Sequence, residues 1–202
     1  MAVEFTLSNI LQLFSAISPL LLTFFLVMAS IFNQNIKGLI YIAGLLIATG
    51  INILLMGLVK SERSKEESVM CNIIDIPILR EFNNPSPGTL FIGFTLAYLL
   101  LPMTYNGQMN YMILITLICL LTLDIVTRVQ KKCTTWFGAI LGAMTGFILG
   151  LTWYTLLHSS GYDSLLFFDE VNSNNVVCSK PSKQTFKCSV YKNGELVSSN
   201  IA

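Results

Sequence analysis

Five stretches of this chain are long, apolar and almost free of charge, and they leave little choice of fold. Residues 17–32, 38–59, 87–103, 109–126 and 135–157 each approach the ~20 residues that an α-helix needs to cross a hydrocarbon core. Asp124 is the only acidic or basic residue near the interior of any of them. The rest of the composition agrees. Hydrophobic residues make up 53% of the 202 and charged residues only 11%, where a soluble domain carries ~25%. Charge this sparse cannot coat a water-facing surface, whereas lipid solvates what water does not. The sequence predicts an all-α, polytopic integral membrane protein with lipids as its solvent. A formal net charge of +1 supplies no basic face for nucleic acid.

Around the five runs the organisation is simple. Residues 1–16 form an amphipathic segment, with Phe5, Leu7, Ile10, Leu11 and Phe14 at helical spacing. It reads either as an interfacial helix or as a helical extension of the first span. Its only early charge is Glu4, so targeting is expected to rest on the first membrane helix rather than on a secretory leader. Residues 17–157 form the transmembrane domain, and its first two spans are joined by a link short enough to make them an antiparallel hairpin. Residues 158–202 form a polar tail. Within it, alternating stretches flank Asn193-Gly194, a preferred type I′ turn, and predict a small β-hairpin.

Loop charge predicts orientation. Lys60, Arg63, Lys65, Arg80, Arg128, Lys131 and Lys132 fall on one side of a five-span arrangement, and the opposite short loops hold only Lys37. The basic loops are therefore expected to be cytoplasmic. The five cysteines include no CxxC pair and no Cys/His cluster, so no metal or other cofactor is expected. Cys178 and Cys188, both in the tail, are the candidate disulfide pair.

Three local features carry chemistry. Ser86 followed by Pro87 has the form of an N-cap and first helical turn, and a helix N-terminus offers free N–H groups to an anion. Arg128 follows Asp124 by four residues, so it either pairs with that carboxylate on one helical face or turns its planar fork on a phosphate. Gly138, Gly142, Gly146 and Gly150 recur at every fourth position of the last span. They predict a smooth stripe for close helix packing, within the chain or in a homo-oligomer.

Together these segments resemble the type-2 phosphatidic acid phosphatase and haloperoxidase superfamily, whose motifs are Lys-x6-Arg-Pro, Pro-Ser-Gly-His and Ser-Arg-x5-His-x3-Asp. The resemblance covers residues 38–157. Pro85-Ser86-Pro87-Gly88-Thr89, opening a span, is similar to the second motif, and Thr127-Arg128 is similar to the start of the third. Counting along that motif puts its histidine position at Thr134 and its aspartate position at Gly138. Gly142 then falls on a glycine common in the family's next helix. The first motif is missing, since Glu67 stands where its arginine belongs and no Arg-Pro follows Lys60. In the family one histidine takes the phosphoryl group, the other protonates the leaving group and the aspartate orients the first. Here Thr134, Gly88 and Gly138 hold those positions. Glycine has no side chain, and threonine is a poor nucleophile without a base. The sole histidine, His158, belongs at the opposite end of the last span.

The resemblance thus implies a catalytically inactive, phosphatase-like membrane protein with a vestigial phosphate-binding pair, Ser86 and Arg128. Its implied role is structural or in binding anionic lipid headgroups. Similar degenerate relatives in large DNA viruses imply a virion membrane and partner membrane or capsid proteins. The alternative is an active lipid phosphatase with altered catalytic residues. Its nucleophile would have to be Cys133, whose neighbours Lys131 and Lys132 favour a thiolate. A channel or transporter is disfavoured, because its pathway usually shows more intramembrane ionisable groups than Asp124 alone.

Overall fold

A computed structural model describes residues 6–61, 71, 82–107, 109–167, 187–192 and 195–201; of the last two segments only the backbone is described. The helices are α1 (Leu7–Phe32), α2 (Lys37–Val59), α3 (Pro87–Tyr105), α4 (Tyr111–Gln130) and α5 (Trp136–Ser159), followed by a 3-10 turn, Asp163–Leu165. All five helices are long and apolar enough to cross a membrane. This is a multi-pass, all-helical membrane domain.

The amphipathic segment is not a separate helix. It forms the first turns of α1, capped by Thr6, whose Oγ1 accepts the Asn9 N–H at 3.3 Å. Pro19 lies inside α1 without ending it. At 1.5 Å per residue, 26 residues reach about 39 Å, more than the ~30 Å of hydrocarbon, so α1 must tilt or extend into the headgroup layer. Its amphipathicity is also inverted relative to a soluble helix. Gln12, Ser15 and Ser18 are buried against the bundle, whereas Ile10, Leu11, Leu13 and Phe14 face outward. In a bilayer this is the favourable arrangement: lipid takes the apolar face, and Ser15 and Ser18 find partners inside.

The link after α1 is held by one hydroxyl. Ser30 Oγ lies 2.6 Å from Asn35 O and 2.7 Å from Asn35 Oδ1, and it accepts the Gly38 N–H at 2.9 Å. A Cβ on Gly38 would sit 2.8 Å from Ser30 Cβ, so the two helices meet closely here. Ser30→Ala strands the Gly38 N–H and takes a donor from Asn35, and should destabilise the hairpin by about 1–2 kcal/mol, read as a lower midpoint on thermal unfolding in detergent.

α3 is the central element. In its most apolar window 67% of residues are buried, against 22% in that of α5. α3 and α5 cross almost backbone to backbone. A Cβ at Gly142 would sit 2.5 Å from Ser86 O, and one at Gly150 would sit 2.5 Å from Phe94 O. One at Gly146 would overlap Leu90 O, and Gly93 of α3 is set the same way against Ala143 O. The four-residue glycine period of α5 thus meets Ser86, Leu90 and Phe94, which recur every four residues along α3. The stripe serves packing within the chain, as small-residue helix interfaces do.

Away from the N-terminus of α3 the core is aromatic. Tyr41, Phe94, Tyr98, Tyr154 and Phe167 stack or meet edge to face, and Tyr41 Oη lies 2.6 Å from Thr95 Oγ1. Leu166 and Phe167, beyond the 3-10 turn, return into this core and close that end.

Residues 173–202 form a second compact unit. In it β1 (Lys187–Lys192) and β2 (Glu195–Ile201) pair antiparallel, with Lys192 opposite Glu195 and a register shift between Val190 and Tyr191. Asn193, Gly194 and Cys178 lie outside the described residues, as does the side chain of Cys188, so the candidate tail disulfide is not described.

Candidate functional site at the N-terminus of α3

The site begins with a buried charge on α4. Asp124 is fully buried, and Arg128, one turn later, is 17% exposed. Arg128 Nε donates to both carboxylate oxygens, at 2.8 and 2.9 Å. Ser15 of α1 donates to Asp124 Oδ1 at 2.7 Å, and Thr127 Oγ1 lies 2.8 Å from Ser15 Oγ. Of the inward polar stripe of α1, Ser15 completes this network, and a lone carboxylate at membrane depth would be costly. Only one edge of the guanidinium is used. Its two terminal nitrogens bond no described residue, and Nη2, with Cζ and Nε, lies over Gly88, where any Cβ would collide with them.

The second half comes from the segment entering α3. Asn84-Pro85 is a cis peptide, and the Ser86 N–H donates to Gly138 O at 3.0 Å. The Asn84 side chain fills the space a side chain at 138 would need. Its Oδ1 accepts from Thr134 Oγ1 at 2.5 Å and from the Thr135 N–H at 3.4 Å, and its Nδ2 donates to Ser61 Oγ at 2.6 Å. Thr135 caps α5, accepting the Gly138 N–H at 3.0 Å. One asparagine therefore ties the ends of α2, α3 and α5 together.

Ser86 stands at the N-cap position of α3, but its side chain caps nothing. It is 1% exposed, and among the described residues its Oγ has no partner; Asn83 Oδ1 is likewise buried and without a partner among them. Both residues line a cavity of about 40 Å³ whose other walls include Arg128, Met56, Cys71 and Cys133. That is room for an ordered water or for one oxygen of a larger group seated at the mouth. A second cavity of about 10 Å³ lies on the α1 side of Arg128, lined by Gln12, Ser15, Thr127 and the same two cysteines. Gln12 is 5% exposed, and neither polar atom of its amide has a partner among the described residues.

The structure places Ser86 and Arg128 on one cavity, and it pairs Arg128 with Asp124 as well; the two roles are not exclusive. Gly88, Thr134 and Gly138 surround the same region. Gly88 carries the guanidinium above it, Thr134 is bonded to Asn84, and the space beside Gly138 is occupied by Asn84. None of them offers a general acid or a nucleophile. His158 sits at the far end of α5, 2.5 Å from Asp163. Cys133, the substitute nucleophile, is bonded to Cys71 and has no free thiol.

Sequence reasoning did not anticipate Gln12, Ser15, Asn84 or the Cys71–Cys133 bond. The first two carry a readable signal, a polar residue at 8, 12 and 15 on one helical face. The disulfide carries none, since 62 residues separate its ends. No known protein family, curated protein or solved structure matches this chain.

Proposed function

We propose that this chain is a non-catalytic, phosphatidic-acid-phosphatase-like membrane protein that holds a phosphomonoester headgroup at the N-terminus of α3 and serves a structural role in its membrane. One observation carries the reading: a buried hydroxyl without a partner among the described residues, Ser86 Oγ, shares a cavity with Arg128, whose guanidinium spends only its Nε on Asp124. Buried polar atoms are nearly always satisfied, so an orphan beside a cation is where an anionic oxygen fits best. The first turn of α3 adds N–H groups and a positive dipole end on the same side. Phosphoryl transfer has no support here, because Gly88 and Gly138 have no side chain and the Thr134 hydroxyl donates to the Asn84 amide rather than to a base.

The test uses the full chain in neutral phosphatidylcholine nanodiscs, titrated with dioctanoyl phosphatidic acid. Arg128→Lys keeps a cation beside Asp124 but loses the planar edge. It should weaken binding about tenfold or more, a charge-assisted hydrogen bond being worth about 1.5–3 kcal/mol. Ser86→Ala should weaken it less, and no variant should release phosphate. Arg128-dependent phosphate release would establish an enzyme instead, and equal binding by wild type and Arg128→Lys would dismiss the site.

A further inference from the structure

We infer that the Cys71–Cys133 disulfide is a redox-responsive clamp on the Arg128 cavity: it holds the guanidinium in its anion-binding pose, and reduction releases that pose. The inference rests on the phosphomonoester reading above.

The coupling runs through the end of α4. The Cys133 N–H donates to Arg128 O at 2.9 Å, and the Lys132 N–H donates to Val129 O at 3.1 Å. Lys132 between them has φ +58°. This is the Schellman arrangement that ends many helices, with a lysine where glycine is preferred. The disulfide fastens this turn covalently from outside. Cys133 is therefore bonded through its backbone to Arg128 and through its sulfur to Cys71, on the connection between α2 and α3. The two sulfur residues also wall both cavities that flank the guanidinium. No other described pair of residues touches the cavity from both of these connections by a covalent bond.

Reactivity points the same way. Both cysteines are half-buried rather than sealed in the core. Lys131 and Lys132 adjoin Cys133 and favour its thiolate. On the sidedness expected from the loop charges, this face meets a compartment where thiol systems open accessible disulfides, so a bond here responds to the local redox poise. A thiolate of an incoming dithiol attacks one sulfur and breaks the Sγ–Sγ bond. The second thiol of that reductant then closes its own disulfide. Two electrons and two protons pass from the dithiol to Cys71 and Cys133.

The experiment follows one preparation of the full chain in neutral nanodiscs through oxidised, dithiothreitol-reduced and reoxidised states. Alkylation and mass spectrometry report the bond in each state. Inorganic phosphate and dioctanoyl phosphatidic acid are the probes. Affinity should fall about tenfold on reduction, the loss expected when a pre-organised site is released, and return on reoxidation. Cys71→Ser should bind like the reduced protein and ignore dithiothreitol; if it does not fold, the wild-type cycle alone decides. Redox-sensitive binding of phosphatidic acid alone identifies a lipid headgroup, and binding of both probes identifies the phosphate group itself. Equal affinity in all three states overturns the clamp and leaves the anion site standing. Failure of both probes to bind oxidised protein overturns the anion site, and the clamp with it.

Discussion

Gly146→Ala in α5 should cost about 3 kcal/mol or more, and Gly146→Leu should yield no folded protein, because the added atom has nowhere to go. Its Cβ would overlap the carbonyl oxygen of Leu90 and come within 2.9 Å of Leu90 Cα. These are backbone atoms of the most buried helix, not the end of a flexible side chain, so relief requires the two helices to part. Separation would also undo the contacts of Gly142 and Gly150, since all three sit on one stripe. The control lies in α2. Nothing is within 4 Å of a Cβ at Gly50 or Gly57, and both positions face outward. Alanine there relieves the glycine penalty and should be neutral, or stabilising by up to about 1 kcal/mol. Thermal unfolding of the three alanine variants in one detergent makes the comparison. A Gly146→Ala midpoint equal to that of Gly50→Ala would mean that α3 and α5 are not in backbone contact.

That contrast also shows what the sequence discloses. Apolar run length places all five spans, because the bilayer imposes a single length requirement on each. The start of α3 is legible as well, since Pro87 after Ser86 marks a first turn. Run length says nothing about which glycines matter; the four-residue period singles out Gly146 over Gly50, but it does not say which helix the stripe meets. The N-terminal segment was legible as amphipathic but ambiguous in kind, because the pattern does not say whether the polar face meets water or protein. Gln12 and Ser15 resolve it: their side chains are turned inward, toward Asp124 and Arg128. Asn84 was hidden for a different reason. Its partners Ser61, Thr134 and Thr135 come from three connections, and no local spacing encodes such a junction.

Asp124→Ala should cost about 3–5 kcal/mol, the usual result of removing one member of a buried ion pair. Asp124 is fully buried, and it is the acceptor for both Arg128 Nε and Ser15 Oγ. Truncation strands a guanidinium and a hydroxyl together. Ser15→Ala alone should cost about 1 kcal/mol, and the double variant less than the sum, because the two side chains share one hydrogen bond. Asp124→Asn separates the two roles of Arg128. It removes the negative charge that neutralises the guanidinium while keeping an oxygen for Ser15. If Arg128 serves only to pair with Asp124, this variant loses stability and gains nothing. If the free edge of Arg128 faces an anion site, the same variant should unfold more easily yet bind dioctanoyl phosphatidic acid more tightly, since the competing carboxylate charge has gone. Opposite signs for stability and affinity in one substitution are not produced by general loosening of the fold, which lowers both. Binding that stays level or weakens in Asp124→Asn, in protein shown to be folded, would confine Arg128 to the ion pair.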